Sequence, residues 1–152
     1  MAITPEDFVK LIEKNAVKIV ELHDRTLPIK VGVMAVKHFQ DNFKKGGFVN
    51  DGLQKWQPSK RLLPEKKGGD KLNKTLLSGR KHLYNSTRHF PDIGEVLIIN
   101  NVPYAAVHNE GLKAGRGKGF TMPKRKFIGE SKELNEKIEK LIETEIRKVL
   151  NL

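Results

Sequence analysis

The chain has 152 residues and a formal net charge of +11, with 29 Lys and Arg against 18 Asp and Glu. This length is typical of one domain, and we expect residues 1–152 to fold as a single unit. Because the sequence holds no cysteine, disulfides, thiolate zinc sites and cysteine catalysis are excluded. It also has neither an apolar run long enough to cross a membrane nor a signal-peptide pattern, so we expect no membrane association.

The first third of the chain predicts two amphipathic helices. Thr4 is a typical N-cap residue, Pro5 suits the first helical position, and apolar residues then recur at three- and four-residue steps. A second helical pattern follows Pro28, which cannot continue the backbone hydrogen bonding of the first helix. We therefore predict a helical hairpin over residues 5–43.

The middle of the chain predicts a loop followed by the core. Residues 44–70 are rich in Gly, Pro and Lys, which predicts a long irregular loop. Residues 71–129 are expected to hold the core and a small antiparallel sheet. The predicted elements there are a short helix over 71–87, strands over 95–100 and 102–107, a glycine-rich loop over 111–119 and a further strand at 120–122.

The C-terminal helix, predicted over residues 130–151, is the clearest element. Apolar residues mark one face of it from Leu134 to Val149, interrupted by Glu145. The order of elements predicts an α+β fold, in which a small antiparallel sheet packs against several helices and long basic loops extend from them.

The positive charge is concentrated in two segments. Residues 44–90 hold twelve basic and three acidic residues, and residues 112–126 hold six basic residues and no acid. Basic residues in loop-like sequence are typical of polyanion contact, which favours a nucleic-acid-binding protein as one interpretation. The alternatives are a solvated surface and a surface neutralised by an acidic protein partner.

The motifs of common enzymes are absent or incomplete. Around Gly117 and Lys118 a phosphate-binding loop would need glycine where Leu112 stands and a hydroxyl where Gly119 stands. His108 and Glu110 resemble a fragment of a metal-dependent nuclease site, but adjacent side chains on a strand face opposite ways and do not converge. We therefore predict no enzyme, no cofactor and no metal, with a metal-dependent nuclease as the least favoured alternative.

Four aromatic residues interrupt loop-like sequence: Phe48, Trp56, Tyr104 and Phe127. Interface cores favour aromatic residues, although such residues also fix a loop to the core of their own domain. Trp56, between two polar residues, is the best interface candidate of the four.

Four segments of the sequence match a known family. They are FQDNFKKGGFVNDGLQKWQPSKR at 39–61, LLSGRKHLYNS at 76–86, YAAVHNEG at 104–111 and MPKRKFIGES at 122–131. With these segments in this order, the sequence resembles the phage virion morphogenesis family, the tail-completion proteins of contractile-tailed phages and prophages. The most specific feature is Tyr-Ala-x-x-His-x-x-Gly followed by Met-Pro-x-Arg-x-Phe.

The resemblance implies a non-enzymatic structural protein of tail completion and head–tail joining, built as a small α+β domain that assembles in rings. It implies a homo-oligomer in the virion, present in the host cytoplasm during assembly. The implied partners are tail-tube, terminator or connector proteins, with DNA as a further contact and no membrane. The candidate assembly or structural residues are Trp56, Pro58, Lys60, Tyr104, His108, Gly111, Pro123, Arg125 and Phe127. Of these, we expect His108 and Arg125 to join different elements and Gly111 to form a backbone turn.

Overall fold

The computed structural model describes residues 4–62, 74–77 and 79–151. Its first helix, α1 (Pro5–Glu21), begins as the sequence predicts. The Thr4 hydroxyl accepts a hydrogen bond from the Asp7 N–H at 3.1 Å, and Pro5 lies in the first turn, where no N–H is needed.

The chain does not turn back after α1. Residues Leu22–Thr26 form a π-helical turn, and helix α2 follows directly over Leu27–Lys45. Pro28 has no N–H to bond the Asp24 carbonyl, and that carbonyl instead accepts a hydrogen bond from the Gly94 N–H at 3.2 Å. Because the wider turn and this tertiary hydrogen bond accommodate the proline, the helical hairpin predicted over 5–43 is wrong.

The described strands form three separate antiparallel ribbons, each of two strands. They are β1 (Gly47–Val49) with β2 (Leu53–Lys55), β3 (Thr87–Asp92) with β4 (Glu95–Asn100), and β5 (Lys113–Ala114) with β6 (Phe120–Thr121). Helices α3 (His82–Asn85) and α4 (Ala105–Glu110) lie between them, and α5 (Lys132–Leu150) follows. The α+β class is confirmed, with the strands divided among ribbons.

Residues 44–70, predicted as an irregular loop, contain the β1–β2 ribbon and a 3-10 turn at Lys60–Leu62. The ribbon closes through Asp51 and Gly52, whose φ angles are +53° and +98°. Short strands with a positive-φ turn carry too little hydrophobic alternation to be recognised from sequence. Residues 63–73, which include the rest of this predicted loop, lie outside the described residues.

Two further predictions differ from the structure. The strand predicted over 102–107 is wrong, because its second half lies in helix α4 and its first half is a turn. Helix α4 buries only Ala105 and is too short for its periodicity to exclude a strand. The strand predicted over 95–100 is β4, and it pairs with β3. Strand β3 begins at Thr87, the last residue of the helix predicted over 71–87. Of that predicted helix the structure describes α3 and a turn at 74–77, whereas residues 71–73 and 78 lie outside the described residues.

The helix predicted over 130–151 is α5, and Ser131 is its N-cap. The Ser131 hydroxyl donates to the Val49 carbonyl at 2.7 Å and accepts from the Leu134 N–H at 3.3 Å. Glu145, the polar interruption of the apolar face, forms ion pairs with Lys30 at 2.6 Å and Lys148 at 2.7 Å. The helix is thereby attached to β1 near its start and to α2 near its end.

Helix α2 contributes to both clusters of buried apolar residues. One cluster holds Phe43, Trp56, Leu83, Val102, Ala105 and Phe127, and the other holds Ala35, Phe39, Phe48 and Leu134. The β3–β4 ribbon also packs against α2, next to Gly32, where an added Cβ would lie 2.5 Å from His89 Cδ2. Within the described ranges, no helix is both long and apolar enough to span a lipid bilayer.

Candidate functional site

The four motif segments meet around the ring of Phe43. This ring, which has no exposed surface, lies with centroid distances of 5.8 Å to Trp56, 6.1 Å to Tyr84 and 5.0 Å to Phe127. Ala105, from the third segment, belongs to the same cluster. The motif residues therefore hold the loop-rich half of the chain against α2.

Trp56 belongs to the core of its own chain. Its side chain is buried, and Nε1–H donates to the Lys126 carbonyl at 2.8 Å. Phe48 and Phe127 are buried as well, so among the four aromatics only Tyr104 is substantially exposed. The expectation that Trp56 is the best interface candidate is corrected by this burial, because a core ring is not available to a partner.

Arg125 connects two motif segments to its own. Its side chain is buried, and the guanidinium donates from Nε to the Gln57 carbonyl at 2.9 Å and from Nη2 to the Pro58 carbonyl at 3.3 Å. Its backbone N–H donates to the His108 carbonyl at 2.7 Å. Burial lowers the pKa of Arg125 from its usual value. Arg125 therefore joins the segment at Gln57 and Pro58 to helix α4 at His108.

His108 and Tyr104 lie on one side of a small recess beside Arg125. The rings of these two residues have centroids 6.0 Å apart, and the Tyr104 hydroxyl lies 2.9 Å from Nδ1 of His82. Burial, and then the charge of Arg125, lower the pKa of His108 from its usual value. With Ser59 and two leucines, these side chains line a cavity of about 210 Å³.

The remaining candidate residues have simpler positions. Gly111 ends α4 with a φ of +72°, and an added Cβ would lie 3.0 Å from the backbone N of Lys124, which explains the need for glycine. The Pro58 carbonyl accepts from Arg125, Pro123 is half-buried two residues before Arg125, and Lys60 is exposed on the 3-10 turn.

Two asparagines that sequence reasoning missed organise the same region. The Asn109 Oδ1 accepts from the N–H groups of Phe127 and Ile128 at 2.8 and 3.1 Å, and Nδ2 donates to the Ile128 carbonyl at 3.1 Å. Asn42 has no exposed surface and bonds both Val49 and Phe127. For Asn42 the sequence does hold a signal. This polar residue occupies an apolar position of the α2 pattern, three residues after Phe39.

The nuclease alternative gains no support from the positions of its residues. Glu110 is exposed, and its carboxylate accepts from Asn109 at 2.6 Å and pairs with Lys124 at 3.2 Å. These hydrogen bonds lower the pKa of Glu110. Among the residues that the structure describes, no three His, Asp or Glu side chains are grouped so that they could hold a metal ion.

A second surface combines an exposed apolar helix with a groove. Helix α1 has no buried residue, and its exposed large apolar side chains are Phe8, Val9, Leu11, Ile12, Val17 and Val20. Between α2 and α5 lies a groove of about 550 Å³, whose apolar lining residues are Ile29, Val33, Met34 and Leu141. Lys37 and Lys137 also line this groove, one from each helix.

Comparisons with curated proteins and with solved structures gave no match. The model of the phage virion morphogenesis family matches residues 9–147, a range that includes the four motif segments and the core cluster that they form. Because this match covers nearly the whole length of 152 residues, the chain belongs to the phage virion morphogenesis family.

Proposed function

We propose that this protein is a non-enzymatic structural subunit that forms rings and acts in tail completion and head–tail joining. Membership of the phage virion morphogenesis family supports a role in virion assembly. Its proposed partners are tail-tube, terminator or connector proteins, and its proposed location is the virion, after assembly in the host cytoplasm. The observation that carries the ring proposal is the uncovered apolar surface of α1.

Helix α1 contacts α5, but this contact buries none of the residues of α1. Its 17 residues include none that is buried, and Phe8 and Ile12, which lie on the same face, are 55% and 53% exposed. Most of the stability of a helix in a protein comes from tertiary packing of its amphipathic face. Exposed apolar surface of this extent is typical of protein–protein contact sites, so α1 needs a partner to cover it.

The α2–α5 groove is the complementary surface. Ile29 and Val33 are 51% and 54% exposed in its lining, and Lys37 and Lys137 are its exposed cations. The acidic residues of the lining, Asp41 and Glu145, form ion pairs with lysines of this chain. Residues 5–14 of α1 carry three acidic residues, Glu6, Asp7 and Glu13, against two lysines. We propose that α1 of one copy binds the groove of the next. Because the two surfaces differ, this contact is head-to-tail, and head-to-tail contacts close into rings when the rotation permits.

The test compares one substitution on each surface. Ile12→Glu places a carboxylate on the apolar side of α1, Val33→Glu places one in the groove, and Lys10→Glu places one on the opposite side of α1 as a control. Light scattering after size-exclusion chromatography measures the mass, and electron microscopy shows particle shape. We expect rings for the natural chain and the control, monomers for each of the two disruptive variants, and heterodimers when those two are mixed.

The mixture distinguishes this contact from a symmetric one, since each variant retains one intact surface. A mixture that stays monomeric would contradict the head-to-tail contact. A natural chain that stays monomeric at high concentration, and that also fails to bind purified tail tubes, would contradict the structural role itself.

Contact with DNA is the second candidate, favoured by the β5–β6 ribbon. Lys113, Arg116 and Lys118 are exposed there, and none of them forms an ion pair with a described carboxylate. Exposed cations without acidic neighbours are suited to phosphate contacts. In a ring, such a ribbon would line the lumen through which DNA passes, whereas a free-standing DNA-binding protein would use it as its main contact.

A further inference from the structure

We propose that the recess beside Arg125 is a pocket that binds a carboxylate group presented by an acidic side chain of a partner protein. This recess shares no lining residue with the α2–α5 groove. It therefore requires neither ring formation nor the α1 contact, and it adds a second contact point of different chemistry to the surface of the protein.

The charge of Arg125 is not neutralised within the described part of the chain. The guanidinium has five N–H donors, of which two bond the neutral carbonyls of Gln57 and Pro58. Nη1 meets only the sulfur of Met122 at 3.7 Å, a weak acceptor. No described carboxylate lies within 4.0 Å of this side chain, which is only 5% exposed. Buried charges in proteins are normally paired, so an acidic group is the missing partner.

The other polar residues of the recess are suited to the same ligand. Ser59 and Tyr104 have hydroxyl groups, and His82 and His108 have ring nitrogens, whereas none of the described residues that line the cavity is acidic. The neighbours of this lining in sequence include the exposed cations Lys60 and Lys81. Because the recess holds a guanidinium and several groups that can donate hydrogen bonds, an anion is favoured over a cationic ligand.

The size of the recess distinguishes among anions. Its volume of about 210 Å³ lies below the roughly 300–1,000 Å³ of typical small-molecule sites. A phosphate within a nucleic-acid strand carries a sugar on each side, which a recess of this volume does not accommodate. An aspartate or glutamate side chain enters by its carboxylate, and its methylene groups then contact Leu83 and the 42% exposed ring of Tyr104.

Binding is measured on the full chain by proton NMR of the His82 and His108 rings. The probes are a blocked Gly-Glu-Gly tripeptide, its Gly-Gln-Gly counterpart and inorganic phosphate, all at constant ionic strength. We expect the glutamate peptide to shift both ring signals and to saturate at millimolar concentration, while the glutamine peptide shifts neither. Equal shifts with the glutamine peptide, or phosphate binding more tightly than the glutamate peptide, would overturn the proposal.

Variants then assign the binding to the recess. Arg125→Lys retains the charge but loses the planar donor fork, so we expect roughly tenfold weaker binding of the glutamate peptide. Tyr104→Phe removes one hydroxyl from an exposed side chain and should weaken binding of the glutamate peptide roughly threefold. Tyr104→Phe also keeps the test decisive if Arg125→Lys unfolds the segment at Gln57.

The matched control is Lys124→Gln, which removes an exposed cation next in sequence to Arg125 whose ion-pair partner is Glu110. This variant should bind the glutamate peptide as the natural chain does. A loss of affinity equal to that of Arg125→Lys would show general surface electrostatics and would refute a specific pocket.

Discussion

The Asn42 side chain donates a hydrogen bond from Nδ2 to the carbonyl oxygen of Phe127 at 3.1 Å, in the interior of the protein. Its Oδ1 accepts a second hydrogen bond from the Val49 N–H, also at 3.1 Å. One buried amide thus joins α2 to strand β1 and to the segment that carries Arg125. Because Asn42 has no exposed surface, its amide satisfies both backbone groups from the interior.

We predict that Asn42→Leu destabilises the protein by about 2–5 kcal/mol, because it leaves one buried N–H and one buried carbonyl without partners. Chemical denaturation measures the change in the free energy of unfolding. Asn101→Leu is the control, since Asn101 is exposed, and it should change that free energy by less than about 0.5 kcal/mol. Equal effects of the two substitutions would refute the role of Asn42.

The close approach of β3 to α2 gives a second prediction. Gly32→Ala would place a Cβ 2.5 Å from His89 Cδ2 and 3.0 Å from His89 Cβ, so either the His89 side chain or the ribbon must shift. Alanine favours helix by about 1 kcal/mol over glycine, yet overpacking costs about 1–3 kcal/mol, and we expect net destabilisation.

The matched background for that substitution is His89→Ala, which removes the ring. There Gly32→Ala should cost less than it does in the natural chain, and thermal unfolding of the four proteins of this double-mutant cycle measures the difference. A cost that is the same in both backgrounds would show that His89 is not the obstacle.

Two histidines give a pH dependence. Burial, with the charges of Lys137 and Lys45, lowers the pKa of His38 below 6.5, and burial with Arg125 does the same for His108. Each ring binds its proton more readily in the unfolded chain. The contribution of these two rings to the free energy of unfolding is therefore fully present above about pH 6.5. It decreases as the pH drops below that value toward the folded-state pKa.

Urea denaturation from about pH 7.5 down to about pH 5.5 measures this fall while most carboxylates remain ionised. In His38→Gln the decrease should be smaller, because one of the two rings no longer titrates. Stability that does not change over this range, or a decrease that is unaltered in the variant, would contradict the prediction.

The cations of the β5–β6 ribbon give a prediction about DNA. If they contact phosphates, log K for duplex DNA falls with log salt by about 0.9 for each phosphate neutralised. Replacing Arg116 and Lys118 together by serine should reduce this slope by about 2. Lys140→Ser on exposed α5 is the control and should leave the slope unchanged. A flat salt response of the natural chain would end the DNA proposal.

Much of the fold follows from local sequence signals. Thr4 and Pro5 begin α1, Ser131 begins α5, and the apolar run at 95–100 is strand β4. Each of these features depends on capping geometry or on side-chain spacing within a few residues, which is why a sequence alone reveals it. The motif segments likewise identified the family that the match over residues 9–147 shows.

The features that the sequence did not reveal depend on distant residues. Pro28 remains within helix because Gly94, 66 residues later, donates to the carbonyl that the proline leaves free. The sequence predicts that Trp56 is an interface residue, but its side chain packs in the core, where it bonds the Lys126 carbonyl and contacts the Phe43 ring.

By itself, the sequence determined the helices with clear caps, the α+β class, the family and the two basic segments, since composition and short-range spacing encode these properties. The tertiary structure alone decided which polar groups have partners. Hydrogen bonding and burial there depend on residues far apart in the chain. The paired Asn42, the exposed α1 and an Arg125 without a carboxylate partner among the described residues therefore became visible only in the folded protein.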